Sequence, residues 1–377
     1  MLKSVQNTVS RNLQNTIGWT SKMQILVIES DDWGSVRMSS KKAYLNLRDK
    51  GFKVDTCPYN RLDRLETEND MLALFDLLEG IKDYQGNPLK LTANYLMANP
   101  DFQKIEGEAF ENYHYIGLED SYEKYNGNSK VLDLVRTGIE NKMFTPQLHG
   151  REHLHPIMWL QALQEKDEET LAAFKEDVWG HPSSYFKNSK RDFSSALHVV
   201  NNVEVAFATQ ALLDGATLFQ KEFGFKSESF IAPRYIWNRD MEECLSKVDV
   251  RYLQGKILQF QPIPNREEKL KTKYNYLGKR NSFNQIYLPR NVFFEPAQNP
   301  RFNWKEDALN RIRIAFRWKK PAIISMHRLN FMGGLEEQNR TDNLMLLGQL
   351  IMQVQKEFPE VLFMSSNELG KLIEYGE

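Results

Sequence analysis

The sequence predicts a parallel α/β fold, a βα barrel or a doubly wound sheet, and three observations lead there. Strand-like and helix-like patterns alternate from residue 24 almost to the end. The run Gln24 to Ser35, QILVIESDDWGS, carries apolar and β-branched residues into two aspartates and a Trp-Gly break, as expected of a strand covered on both faces. Asp31, Asp32, His149, Arg234 and His327 all fall at predicted strand C-termini, the edge where ligands sit in either architecture.

The elements follow in order. After the first strand, 41–50 reads as a short helix stopped by Gly51. Thr67 with Asp70 three residues on is a capping-box start for a helix whose buried face is Met71, Leu74, Phe75 and Leu78. Residues 89–97 form the second strand, and 100–128, polar and aromatic without a period, reads as an insertion over one end of the sheet. Val131, Leu132, Leu134, Val135 and Ile139 restore a helical stripe, and 144–148 leads as a strand into QLHGREHLHP. A charged helix is predicted over 156–177, then a Gly, Pro, Ser and Lys-rich loop over 178–196. Helix 202–223 feeds strand 229–232, Asn238 caps the next helix, and 250–253 is a strand followed by a second insertion, 255–284. Strands at 286–288, 322–326 and 361–364 alternate with helices at 304–318 and 343–358, and Ser365 with Glu368 caps a last helix. Val5, Val9, Leu13 and Ile17 make one stripe of an N-terminal helical extension, 1–22, that docks on the body. The 377 residues are expected to form a single domain, because α/β barrels reach about 250 residues or more as one unit.

Composition narrows the partners. Lysine plus arginine number 49 against 50 acidic residues, so nothing favours nucleic acid or an anionic membrane. Cys57 and Cys244 make neither a disulfide framework nor a zinc knuckle, so any metal falls to histidine and carboxylate. No stretch approaches the ~20 apolar residues of a membrane span and the start lacks an apolar signal core, which predicts a cytoplasmic protein.

His149 and His153 are four apart, a spacing that puts both imidazoles on one helical face, where they can chelate one ion. The alternative is a pair of loop histidines satisfied by water or backbone. The aspartate pair at another strand end supplies the missing carboxylate for a two-histidine, one-carboxylate zinc site. His155 can replace either neighbour. Arg234 in FIAPRY is placed to neutralise a carboxylate or, equally, to make a surface ion pair. Trp33, Tyr235 and Trp237 can form a sugar-stacking wall or belong to the core.

The order of these motifs resembles the polysaccharide deacetylase family, carbohydrate esterase family four. The family's Asp-Asp-Gly motif is similar to ESDDWGS with Trp33 inserted, and its H-x-x-x-H-P motif is similar to HGREHLHP with the proline displaced to Pro156. Its F-R-x-P-Y motif resembles Phe230 to Tyr235 in part, with the arginine at Arg234 and Arg290 in YLPRN as a competitor. Its closing strand ending in histidine looks like IISMH. The resemblance implies a distorted (β/α) barrel of about seven parallel strands and a divalent metal, Zn²⁺ by preference, on Asp32, His149 and His153. It makes Asp31 the general base, His327 the general acid, and an acetylated sugar or polysaccharide the substrate. Two rivals remain open at this stage: a metal-independent, glycosidase-like hydrolase using a carboxylate pair, and a carbohydrate-binding protein that has lost catalysis.

Overall fold

Ile25–Trp33 forms strand β1 of the computed structural model, which describes residues 9–127, 130–187, 189–266 and 268–376. Every side chain of β1 is buried, and alternation sorts them between two environments. Leu26 and Ile28 join the large core beneath the helices. Ile25 and Val27 pack with Tyr252, Leu288 and Ile323 inside the barrel, beneath Leu369 of the final helix.

The remaining strands of the sheet are Leu91–Leu96 (β2), Phe144–Gly150 (β3), Ser229–Phe230 (β4), Tyr252–Gly255 (β5), Ile286–Pro289 (β6), Val292–Phe293 (β7), Ala322–His327 (β8) and Leu362–Met364 (β9). All their pairings are parallel, in the order β6-β5-β4-β3-β2-β1-β8-β7, with β9 also paired to β1. The two ends of that order, β6 and β7, are separated in sequence only by Arg290 and Asn291. Arg290 N–H donates to the Gly255 carbonyl at 2.8 Å and Asn291 N–H to the Ile323 carbonyl at 3.3 Å. The chain thereby steps across the gap between β5 and β8 and closes a distorted barrel, as the sequence predicts. The strand absent from the sequence reading is β7, too short to carry a period.

Three expectations about the periphery are corrected. Val9, Leu13 and Ile17 are each at least half exposed, so their stripe does not dock, and Val5 lies outside the described residues. The N-terminal segment is held instead by polar contacts, Arg11 to Asp307 at 2.5 Å and Asn291 Nδ2 to Asn15 Oδ1 at 2.9 Å. The charged helix over 156–177 is two, Pro156–Gln164 and Glu168–Phe174, divided where Lys166 takes φ +60°. The two insertions also have structure of their own: helices Phe102–Gly107 and Leu118–Asn126 in the first, and a hairpin of Leu258–Pro262 with Leu270–Tyr274 in the second. Among the described residues no helix is long and apolar enough to cross a membrane.

Candidate functional site

A cavity of about 480 Å³ opens at the C-terminal ends of the strands, and its floor is built by β1. Alternation sends Glu29 and Asp31 inward with Ile25 and Val27, and would turn Asp32 outward toward the helices. The β1–β2 register slips between Ser30 and Trp33, and Asp32 itself adopts φ +73°. This bulge swings the second carboxylate back to the cavity, so neighbouring residues serve one site. The turning point is Asp32, one bulge earlier than the Gly34 break that the sequence suggested. The same bulge drives Trp33 into the core, fully buried against Tyr95, Phe144 and Phe331, with its indole N–H on Ser30 Oγ at 3.0 Å. Trp33 therefore cannot stack on a sugar.

His149 enters from β3 through a second register slip, where Leu148 opposes Tyr95 but Gly150 opposes Leu96. No helical turn follows; 151–155 is an irregular bend that carries His153 to the same point by loop geometry. One donor atom each from Asp32, His149 and His153 lies within 4.8 Å of the others, and all three residues are buried. His149 Nδ1–H donates to the Ile231 carbonyl at 2.8 Å, which turns Nε2 toward Asp32 Oδ1 at 3.2 Å. Asp32 is held well below the usual carboxylate range, the nearby histidines overcoming its burial. Burial pushes His153 down to about 3 despite the attraction of Asp32, and its Nδ1 has no hydrogen-bond partner among the described residues. A carboxylate oxygen this close to a ring nitrogen needs a proton or a cation between them. The donor set fits a divalent ion. His155 stands apart: it caps the helix at Pro156 through Met158 N–H and contacts Arg191 at 2.9 Å, so it is not a fourth ligand.

Asp31 has a different partner. Arg290, fully buried at the barrel closure, binds it in a fork, Nη1 to Oδ2 at 2.6 Å and Nη2 to Oδ1 at 2.7 Å, and also ion-pairs with Glu29. Asn94 Nδ2 adds a hydrogen bond to Asp31 Oδ1 at 2.8 Å. Burial raises the Asp31 carboxyl, but the Arg290 charge and its hydrogen bonds bring it down to about 2. The arginine beside the catalytic candidate is thus Arg290, and Arg234 is corrected to a cavity-rim residue, about half exposed and ion-paired with Asp192.

His327 ends β8 directly opposite Asp31 in register. Its Nδ1 is 2.5 Å from Glu295 Oε1, and Asn330 Nδ2 holds the other Glu295 oxygen at 2.9 Å. Burial would lower this imidazole, yet Glu295, aided by Asp32 and Asp31, raises it to about 9. The cavity thus holds a cationic imidazole at His327 and a neutral one at His153.

Of the predicted aromatic wall only Tyr235 reaches the cavity, with its hydroxyl 3.2 Å from Arg290 Nη1 and Lys256 Nζ 4.0 Å above its ring. Trp237 is buried, its N–H on Glu242 at 3.2 Å, and Gly255 passes beside its ring. Sequence reasoning missed Glu295, Lys256, Tyr59 and Arg37, all in the cavity lining. Glu295 had a signal, since it follows β7 just as Asp32 closes β1, but β7 itself was invisible.

No protein-family model matches the sequence, and no curated protein matches it. Among solved structures the chain is similar to the 4-alpha-glucanotransferase of Thermococcus litoralis, at 9% identity and TM-score 0.45, over 93% of this chain but only 40% of that one. It is also similar to a putative polysaccharide deacetylase from Mycobacterium smegmatis, at 10% identity and TM-score 0.44, over 95% of this chain and 93% of the other. A probable polysaccharide deacetylase from Pseudomonas aeruginosa aligns at 10% identity and TM-score 0.45, over 93% and 90% of the two chains. The assignment of chemistry rests on the side chains of the site.

Proposed function

We propose that the chain is a metal-dependent hydrolase that removes an acetyl group from an acetylated sugar or polysaccharide. The observation that carries this reading is the convergence of buried Asp32, His149 and His153, with one ligand atom of each within 4.8 Å of the others and both ring Nε2 atoms turned to Asp32 Oδ1, at 3.2 and 3.6 Å. Asp32, His149 and His153 would hold the ion, with Zn²⁺ the preferred candidate. A divalent ion there supplies Lewis-acid polarisation of a carbonyl oxygen. Asp31, kept ionised by Arg290, takes a proton from water at the cavity floor through Oδ2, which accepts one hydrogen bond where Oδ1 accepts two. His327, charged through Glu295, gives a proton to the departing amine or alkoxide at its Nε2. Tyr235, on the wall of the same cavity, is a surface for a sugar ring. Sugar as the substrate class is supported by the motif order of the sequence.

The two-carboxylate alternative requires one carboxyl held protonated. Asp31 and Asp32 are both lowered, which disfavours that pair. Metal analysis of the purified protein is the direct test: about one divalent ion per chain is expected in the wild type and a sharp loss in His149→Ala. Acetate release from acetylated chito- or xylo-oligosaccharides should stop on chelation and return with metal. Equal metal in both proteins would remove the basis of the mechanism, and sugar binding without acetate release would leave a binding protein.

A further inference from the structure

Arg37 lines the same cavity and has a role that the hydrolytic machinery does not absorb. Its side chain is nine-tenths buried, and among the described residues it has no hydrogen bond or ion pair. Its Nε is buried without a partner. The guanidinium lies over two aromatic rings, 5.1 Å from the centroid of Tyr59 and 4.9 Å from that of Trp179. Cation–π contact offsets part of the cost of taking this charge from water, but leaves the buried Nε–H unfilled. The acids whose charge it feels are committed elsewhere: Asp192 to Arg234 and Asp63 to Arg328.

Its position relative to the reacting groups is fixed by the same two rings. Trp179 also stacks on His153, with centroids 6.1 Å apart, and Tyr59 meets His327 edge-on at 5.4 Å. One aromatic ring therefore separates Arg37 from the candidate metal ligand and one from the candidate acid. A rigid, unpaired guanidinium so placed suits an oxyanion carried by the substrate itself, on the reacting sugar or its neighbour. Resting on the deacetylase reading above, we infer that the cavity selects acetylated sugars bearing a carboxylate or phosphate group, and that Arg37 binds this anion.

The test compares acetate release from neutral acetylated oligosaccharides with release from acetylated sugars carrying a uronate carboxylate or a phosphate. The wild type should favour one anionic series in kcat/KM by about 10- to 100-fold, the range of a charge-assisted contact. The two anionic arms identify which oxyanion is used. In Arg37→Met the anionic-over-neutral ratio should fall to about one, and in Arg37→Lys, which keeps charge but loses the fork, to an intermediate value. Equal wild-type rates on neutral and anionic sugars, or equal proportional losses on both in Arg37→Met, would overturn the inference. A second readout is independent of turnover: quenching of tryptophan fluorescence by glucuronate or a sugar phosphate should saturate in the wild type and not in Arg37→Met. Saturation without acetate release from any sugar would sink the deacetylase reading while upholding the anion site; acetate release without saturation or preference would do the reverse.

Discussion

Asp31 and Asp32 are adjacent and chemically alike, and their partners alone separate them. Asp31 is clamped by a guanidinium that cannot lose its proton, whereas Asp32 faces imidazoles that can exchange a proton for a metal. The same logic divides the histidines: His153 is neutral because burial outweighs its neighbours, and His327 is cationic because Glu295 outweighs burial. Raised to about 9, His327 keeps its proton through neutral pH and loses it as pH climbs past that value. An NMR titration of the metal-free protein should place its midpoint near 9, and Glu295→Gln should bring it down toward the ordinary ~6.5. Activity that depends on this acid should show an alkaline limb moving with that midpoint. A limb that stays in place in Glu295→Gln, while the imidazole titrates lower, would assign the acid to another group.

At the scale of the element, the site depends on two β-bulges as much as on its side chains. Without the slips at Asp32 and His149, alternation would face one carboxylate to the helices and leave β3 out of step with β2. Gly34 locks the first bulge. It sits at φ +78°, gives its N–H to Glu66 at 2.9 Å, and an added Cβ would lie 2.4 Å from the Leu96 carbonyl and 2.6 Å from Leu118 Cδ2. Gly34→Ala should therefore cost about 1–3 kcal/mol in urea denaturation, by left-handed strain and overpacking. It should also weaken metal retention, because the displaced turn carries Asp32. Unaltered stability with full metal content would show that the strand end tolerates a shift and that the bulge is held from elsewhere.

For the molecule as a whole, the sequence exposed what periodicity and capping encode and hid what closure encodes. The capping boxes at Thr67 with Asp70 and Ser365 with Glu368 form as their spacing requires, and the strands at 25–33, 91–96 and 322–327 lie where the apolar runs put them. The choice between Arg234 and Arg290 as the partner of Asp31 was beyond such reading, because Arg290 reaches it only when β6 and β7 meet and shut the barrel. The fold also buries imidazoles outside the cavity lining, and these bear on the response to acid. Burial lowers His181 to about 4, with neither ring nitrogen partnered among the described residues, and His198 to about 4 as well, with Arg191 adding to the effect. An unfolded histidine takes its proton near 6.5, so between that pH and about 4 the unfolded chain binds protons that these folded sites refuse. Stability must then fall as pH falls, by about 1.4 kcal/mol per pH unit at the steepest for a site as buried as His181. Asp63 opposes the trend: burial raises it to about 6 against the pull of Arg328, so the folded state gains a proton there over part of the same window. Glu29, Glu152 and Glu222, likewise raised by burial, also oppose it, so the test is a difference: between pH 6.5 and 4.5 the urea midpoint of His181→Gln should rise relative to the wild type as pH falls. A difference between the two proteins that stays constant over that range would show that His181 takes up its proton inside the folded protein.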